Sequence, residues 1–289
     1  MKQRKINKAI IGRRAKEYLE SNRGLKGVLK LYRDVFSIQK KIGQKIPDQL
    51  PHLKGGEISF RIEEGRRLIE PDELEVNTAV LREMMKELGE VLKGEDSKPL
   101  EKLEDILADD EEVRRLTEAF LEERDGDDTH GMAESGIEPE ILYMLMHIAI
   151  APFFWKQAST LSKKADLGQV PQGTCPVCGE LPIMGFLREE DGLRILECSL
   201  CGTRWGIPRM MCPFCRTTDQ KKLSYIFAEG DQSRRAYLCE ACKRYIKIRT
   251  GGGQGIEEMV LPLEDLATVH LDNAAAERGY ERGCRTVFS

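Results

Sequence analysis

The chain has 289 residues, of which 33% are charged and 6% aromatic, and its formal net charge is -4. This length accommodates about two domains of roughly 150 residues each. The charge excludes a strong overall basic field of the kind that attracts nucleic acid or acidic membranes. No stretch reaches the roughly 18 consecutive apolar residues of a membrane span. The nearest, 141–155, contains His147 and Pro152 and predicts a buried helix.

Arg13 and Arg14 raise the question of a twin-arginine export signal. The residues that follow, 15–21, supply charge where such a signal needs an apolar run. We therefore expect a solvated helix face here and a cytoplasmic protein. Thiols stay reduced in the cytoplasm, so clustered cysteines favour metal binding over disulfides.

The first half of the sequence is helical in pattern. Apolar residues recur three and four positions apart, as at Leu25, Val28 and Leu29. Helices are predicted over 8–22, 25–46, 72–93, 99–124 and 139–164. The stretch 47–71 is predicted as a loop with one short extended piece, and 125–136 as a flexible connection. These elements predict an all-helical domain over 1–165.

Near residue 170 the helical pattern stops. Short β-like pieces occur at 193–196 and 223–227, and eight of the nine cysteines fall between Cys175 and Cys242. A glycine-rich run at 251–255 closes this section. Apolar spacing then predicts a C-terminal helix over 263–282.

The eight cysteines form four C-x-x-C pairs. In chain order these are Cys175 and Cys178, Cys198 and Cys201, Cys212 and Cys215, and Cys239 and Cys242, with 19, 10 and 23 residues between successive pairs. A two-residue spacer lets one tight turn aim both sulfurs at one ion, and two facing turns make a tetrahedral four-thiolate site. Gly179 and Gly202 follow the first two pairs, where a positive φ suits the turn. The longer first and third gaps leave room for a β-hairpin. They favour pairing the first turn with the second and the third with the fourth, while an interleaved pairing stays open.

Metal is the favoured interpretation of these pairs. A single C-x-x-C pair is also typical of redox proteins, but the expected strand-then-helix context is missing here. Zinc and iron both accept four sulfurs in a tetrahedron, so either metal fits. A metal with four protein ligands has no open position for substrate, and such a site is structural or, with iron, passes electrons. Because this segment has little apolar material, we expect region 170–250 to lose its fold without metal.

These observations predict an α+β fold class. An all-helical N-terminal domain (1–165) is followed by two small rubredoxin-like or zinc-ribbon metal modules (170–210 and 211–250). A C-terminal helix and tail (256–289) complete the predicted domains. Each four-cysteine module is expected to hold one metal ion, iron or zinc.

A nucleic-acid-binding zinc ribbon is one alternative. From Cys175 to Thr250 there are 13 Lys or Arg and 9 Asp or Glu, a net of +4. Two four-thiolate sites with divalent ions add about -2 each, which brings the region close to neutral. Phosphate binding usually requires a denser basic face than these scattered residues provide. We therefore do not expect nucleic acid as a partner.

The remaining candidate residues do not form a catalytic centre. His147 lies in an apolar helical segment and is expected in the core. The other histidines, which have no cysteine or second histidine at ligand spacing, are His52, His130 and His270. Cys284 is the odd thiol, and the run 251–255 lacks the lysine of a phosphate-binding loop. The sequence predicts no catalytic residues, no organic cofactor and no enzymatic activity.

The cysteine region and its flanks resemble the formate dehydrogenase accessory protein family, the FdhE type. The resemblance covers about the second half of the chain; the first 130 residues match only in helical character. The matching residues are 138–142, 148–155, 175–179, 193–201, Trp205, Arg209, Cys212, Cys215, Cys239, Cys242, Tyr245, Lys247, 265–268, Leu271, Asp272, Gly279, Tyr280 and Arg282.

This resemblance implies a cytoplasmic protein needed for making an active respiratory formate dehydrogenase. It further implies binding to the catalytic subunit before twin-arginine export, and rubredoxin-like sites that can hold iron. By this analogy all eight paired cysteines are metal ligands. A rubredoxin-like redox carrier stays open as an alternative function, and so does a homodimer.

Overall fold

The computed structural model describes residues 16, 23–47, 53, 56–93, 100–123, 130–251 and 259–285. The chain divides into two units. The unit called here the helical unit comprises 27–52 and 69–157, and the sheet unit comprises 1–26, 53–68 and 158–289. The four-part domain division predicted from the sequence stays a prediction. In the described ranges, no helix combines the length and apolar character needed to cross a membrane.

The α-helices follow much of the predicted pattern. In chain order they are α1 (Lys26–Gly43), α2 (Glu57–Glu63), α3 (Thr78–Leu92), α4 (Leu103–Ala108), α5 (Asp110–Glu123), α6 (Pro139–Lys164), α7 (Leu261–Leu266) and α8 (Val269–Ala276). Short 3-10 helices occur at Arg23–Leu25, Pro71–Glu73, His130–Ser135 and Gln220–Lys222. The predicted helices over 25–46 and 139–164 correspond to α1 and α6. The one predicted over 8–22 lies, apart from Lys16, outside the described residues.

The helix predicted over 99–124 is divided at Asp109. The backbone of Asp109 is extended, with φ -103° and ψ 115°. Its carboxylate accepts hydrogen bonds from the backbone N–H groups of Glu111 and Glu112, at 2.9 and 3.3 Å. A short acidic side chain that satisfies free N–H groups in this way begins a new helix. Asp109 therefore ends α4 and caps α5.

Pro152 lies inside α6 without ending it. A proline has no N–H group, so the carbonyl four residues earlier, that of Ile148, loses its helical partner. The buried side chain of Gln39, on α1, donates to that carbonyl at 2.7 Å. One side-chain hydrogen bond thus satisfies the acceptor that the proline leaves free, within the helical unit.

The stretch predicted as a loop over 47–71 contains α2, so that prediction is wrong for 57–63. An ion pair between Arg61 and Glu57, at 2.7 Å and four positions apart, supports this short helix. Arg61 also donates to the carbonyl of Leu68 at 3.3 Å. Two turns show too few apolar positions for a helical period to be recognised in the sequence.

The sheet unit contains one seven-stranded sheet in the described part of the chain. Its strands are β1 (Pro182–Leu187), β2 (Arg194–Cys198), β3 (Arg204–Ile207), β4 (Leu223–Ala228), β5 (Asp231–Cys239), β6 (Arg244–Arg249) and β7 (Glu281–Arg282). The order is β3-β2-β1-β6-β5-β4, and β7 pairs with β6. Strands β1–β3 form one antiparallel meander and β4–β6 another. Parallel pairing of β1 with β6, through Gly185 and Ile248, joins the two meanders into one sheet.

The single helix predicted over 263–282 is interrupted, and this prediction is wrong in its extent. In a continuous helix the carbonyl of Asp265 would accept from Val269. Instead it accepts from the side chains of Lys247, at 2.8 Å, and Thr268, at 3.0 Å. The helix therefore ends as α7 and restarts as α8, and residues 281–282 form β7.

Candidate metal centres

Each C-x-x-C pair lies on a tight turn that begins one half of a module. In the first turn the backbone N–H of Gly179 donates to the carbonyl of Cys175 at 2.8 Å. The N–H of Cys175 in turn donates to the carbonyl of Glu180 at 2.8 Å. Equivalent closing bonds join Cys198 to Thr203 and Cys212 to Thr217, each at 2.9 Å, and Lys243 to Cys239 at 2.8 Å. Each turn is therefore closed by at least one of these two kinds of backbone hydrogen bond.

The residue after the second cysteine is left-handed in every turn. The φ angles are +85° at Gly179, +68° at Gly202, +60° at Arg216 and +56° at Lys243. Among the described residues, Arg216 and Lys243 are the only non-glycines with positive φ. The sequence revealed only the two glycines, because side-chain identity signals this conformation when glycine occupies it. Each non-glycine costs about 1 kcal/mol, so the turn shape is imposed by its surroundings.

The first cluster is made of Cys175, Cys178, Cys198 and Cys201. Its four sulfur atoms lie within 4.8 Å of one another. Cys175 and Cys201 are 3.5 Å apart, sulfur to sulfur, and Cys178 and Cys198 are 3.4 Å apart. The backbone N–H of Cys201 donates to the sulfur of Cys198 at 3.3 Å. Strands β1 and β2 form the hairpin between the two turns, as the first gap predicted.

The second cluster is made of Cys212, Cys215, Cys239 and Cys242. Its sulfurs also lie within 4.8 Å of one another. The sulfur-to-sulfur distance is 3.8 Å for Cys212 and Cys242 and 3.6 Å for Cys215 and Cys239. Strands β4 and β5 form the intervening hairpin. The structure thus groups the first turn with the second and the third with the fourth, and not in the interleaved order.

The donor sets fit a tetrahedral metal ion. Zinc–sulfur bonds of about 2.3 Å in a tetrahedron place the sulfurs roughly 3.8 Å apart. The observed sulfur pairs at 3.4–3.8 Å come close to that value. They are far longer than the roughly 2.05 Å of a disulfide bond. Each cluster can therefore hold one ion with all four positions filled by protein, and four sulfurs suit iron as well as zinc.

Burial distinguishes the two clusters. The first cluster is entirely buried, whereas Cys215 is exposed and Cys242 half-buried in the second. Burial, together with neighbouring cysteines, raises the pKa of Cys175 well above its usual value. Burial also raises the pKa of Cys242 to about 11. At Cys215, partial burial alone would raise the pKa. Hydrogen bonds with the backbone N–H of Thr217 and with the neighbouring cysteines outweigh this effect, so the pKa is lowered.

A buried ion network lies beside the modules and contains several residues that the family resemblance singled out. Lys247 on β6 contacts Asp265 at 2.8 Å and Asp272 at 2.7 Å. Arg282 on β7 pairs with Asp272 at 3.2 Å and also with Asp265. The hydroxyl of Tyr245 donates to Asp272 at 2.7 Å. Two cations and two carboxylates balance, and the network ties the helices α7 and α8 to the sheet.

Position 204 has a structural role in the first module. Arg204 on β3 is buried and forms an ion pair with buried Glu197 on β2 at 2.7 Å. It also donates to the carbonyl of Met259 at 2.7 Å. The guanidinium therefore connects two paired strands to the segment that precedes α7.

In the described part of the chain, the other candidates from the sequence are not members of either cluster. His147 is buried in the helical unit, with its ring 6.2 Å from those of Phe120 and Tyr143. His270 is exposed, and His52 and the side chain of His130 lie outside the described part of the chain. Cys284 is buried, and burial raises its pKa to about 12, which keeps the thiol protonated at neutral pH.

The fold and the two clusters define a mixed helix-and-sheet protein with two four-cysteine sites that can bind metal. Residues 174–209 match the family model of the FdhE central domain. The chain is 38% identical over 119 residues to the FdhE homolog of Stutzerimonas stutzeri strain A1501, across 38% of this chain and 36% of the relative. It is 32% identical over 146 residues to FdhE of Escherichia coli O1:K1, across 48% and 46%.

The crystal structure of the FdhE protein from Pseudomonas aeruginosa has the same fold. It matches with a TM-score of 0.65 and 22% identity, across 100% of this chain and 98% of that one. The family model and the curated relatives match the chain through the cysteine region, which confirms the resemblance drawn there from the sequence, and the crystal structure shows that the fold is shared. The matched stretches span between about a third and a half of the curated relatives' length.

Proposed function

We propose that this protein is a cytoplasmic accessory protein of a respiratory formate dehydrogenase. It binds the catalytic subunit of that enzyme before twin-arginine export and is needed for the subunit to become active. The observation that carries this proposal is the match to FdhE proteins through the cysteine region, both in sequence and in fold. The protein acts by binding another protein and not by catalysis.

The eight paired cysteines are the proposed ligands of two metal ions, iron or zinc, with one ion in each cluster. Four thiolates around each ion leave no coordination position for a substrate. The ions would therefore hold the turns and hairpins of each module together. Metal binding of this kind supplies folding free energy.

The described surface of the modules gives little support to nucleic-acid binding. Two of the basic residues counted there pair with carboxylates. Arg234 pairs with Asp231 at 2.8 Å and with Glu264 at 3.1 Å, and Lys243 pairs with Glu240. Cations that already pair with carboxylates contribute less to phosphate binding.

A genetic complementation experiment tests the proposed function. The gene is deleted in its own host, and formate dehydrogenase activity is measured in membranes. Activity is expected to be lost and to return with the wild-type gene, but not with Cys178→Ser or Cys239→Ser. The control is Cys284→Ala, which removes the thiol outside the clusters and is expected to restore activity. Full activity in the deletion strain would refute the proposal.

A redox carrier is the second candidate, and the exposed Cys215 of the second cluster favours it. An iron ion with one exposed thiolate ligand would lie close enough to the surface for electron exchange with a partner. The purified protein would then show a rubredoxin-like visible spectrum that bleaches reversibly on reduction. A colourless, zinc-only protein from native cells would exclude this function.

A further inference from the structure

A cavity of about 330 Å³ adjoins the second cluster. Its walls come from the 209–214 segment, from strands β4, β5 and β6, and from Arg194 on β2. Cys212 and Cys239 contribute to one wall, so the cavity lies directly beside the second candidate metal site. Its volume falls at the lower end of the range for small-ligand pockets, roughly 300–1,000 Å³.

Arg194 places a buried positive charge on this cavity. Its side chain is only 3% exposed. Two of its nitrogens donate to the carbonyls of Met211, at 2.9 Å, and Arg209, at 2.6 Å. Its third nitrogen, Nε, is buried and has no acceptor in the described part of the chain. A buried guanidinium that is held only by carbonyls leaves its charge uncompensated.

Tyr237 adds a second buried donor. Its ring covers the guanidinium of Arg194, with 4.8 Å between the ring centroid and Cζ. Its hydroxyl is buried and also lacks a hydrogen-bond partner among the described residues. A buried tyrosine hydroxyl normally finds a partner. Two side chains that line this cavity therefore each carry an unsatisfied donor.

The other lining residues include both cationic and aromatic side chains. Arg209 and Arg244 also line the cavity, and none of its described lining residues is Asp or Glu. Phe214 and Tyr225 supply apolar surface, and the ring of Tyr225 lies 5.4 Å from that of Tyr237. This combination suits a ligand with a negative charge on an apolar body.

Balancing the charge of the second cluster is the competing explanation for the arginines. Four thiolates around a divalent ion carry a net charge of about -2. That explanation accounts for positive charge near Cys212, but it does not account for the neutral hydroxyl of Tyr237. Among the described residues, neither this hydroxyl nor Nε of Arg194 donates to a cysteine sulfur. The cysteines of the cluster therefore do not serve as hydrogen-bond acceptors for these two donors.

We propose that this cavity binds a carboxylate carried on an apolar body. The carboxylate accepts hydrogen bonds from Nε of Arg194 and the hydroxyl of Tyr237, and Phe214 and Tyr225 pack against the apolar part. The carboxylate comes either from a free organic acid or from a polypeptide. The proposal does not depend on the proposed function, because it rests on the lining residues alone.

The test uses the full-length, metal-loaded protein and isothermal titration calorimetry at low salt. The probes are phenylacetate and phenylacetamide, which share a shape and differ in charge. Phenylacetate is expected to bind at least tenfold more tightly, since a charge-assisted hydrogen bond to a buried group is worth about that factor. Tyr237→Phe and Arg209→Gln are each expected to weaken phenylacetate binding by about tenfold. Arg278→Gln, which removes an exposed charge on the segment after α8, is the matched control and leaves binding unchanged.

A second arm distinguishes the two sources of the carboxylate. A peptide blocked at both ends, with glutamate between two leucines, is compared with its glutamine counterpart. Tighter binding of the glutamate peptide than of phenylacetate assigns the cavity to a polypeptide, and the reverse order assigns it to a free acid. Equal binding of phenylacetate and its amide, or no binding of either at millimolar concentration, would overturn the proposal. So would unchanged phenylacetate binding in Tyr237→Phe protein that retains its metal content.

Discussion

Replacing Lys247 by methionine tests whether the buried ion network stabilises the sheet unit. Methionine keeps an unbranched side chain of similar length but removes the cation that contacts Asp265 at 2.8 Å and Asp272 at 2.7 Å. Arg282 then faces two buried carboxylates, and the network changes from neutral to a charge of -1. Breaking a buried ion pair from one side typically costs about 3–5 kcal/mol. Because Arg282 still contacts both carboxylates, we expect a loss of about 3 kcal/mol in the free energy of unfolding.

The assay follows the fluorescence of Trp205 during urea unfolding of metal-loaded protein. Trp205 is fully buried on β3, and Trp155→Phe leaves it as the single tryptophan in the chain. Adding Asp272→Asn to Lys247→Met restores neutrality. The double variant should therefore lose about 2 kcal/mol less than the two single losses combined.

The control substitution, Lys222→Met, removes an exposed lysine. It should change the free energy of unfolding by less than about 0.5 kcal/mol. If Lys247→Met costs no more than this control, the ion network does not stabilise the sheet unit. Additive losses in the double variant would show that Lys247 and Asp272 do not interact.

Three further predictions follow from the turns and clusters. Gly202→Ala should cost about 1 kcal/mol in unfolding free energy, because φ is +68° although the space around the added methyl is open. Gly27→Ala in α1 should instead stabilise the protein by a similar amount, because alanine favours a helix more than glycine does. Gly173→Ala should cost more than about 2 kcal/mol, because its Cβ would lie 1.7 Å from the carbonyl oxygen of Pro213; retained wild-type stability would contradict this backbone contact. A chelator should remove metal from the second cluster before the first, since Cys215 is exposed; equal release rates of the two ions would contradict the difference in burial.

The cysteine spacing predicted the site more fully than the flanking patterns predicted the fold. The lengths of the gaps between the pairs favoured the grouping of turns that the structure shows, because the longer gaps leave room for a β-hairpin, although the interleaved order stayed open. The positive φ angles of Arg216 and Lys243 could not be predicted from the sequence, because glycine favours this conformation but is not required for it. The tight turns around the clusters impose that conformation on whichever residue follows the cysteine.

The interruptions and connections of the elements depend on contacts distant in sequence. The C-terminal helical pattern is broken because Lys247, eighteen positions before Asp265, donates to its backbone carbonyl. The two modules were predicted as separate pieces, yet Gly185 on β1 pairs with Ile248 on β6 through the backbone. Backbone pairing of this kind leaves little trace in side-chain patterns, so the single continuous sheet could not be predicted.

The proposed function requires the chain to hold two metal ions and to bind the catalytic subunit of a formate dehydrogenase. The most direct test is recovery of the tagged protein from its native cells, with bound proteins identified by mass spectrometry and metals quantified on the same sample. We expect to recover the catalytic subunit together with about two metal ions per chain, one for each four-cysteine cluster. Recovery of a metal-free chain without any dehydrogenase subunit would contradict it.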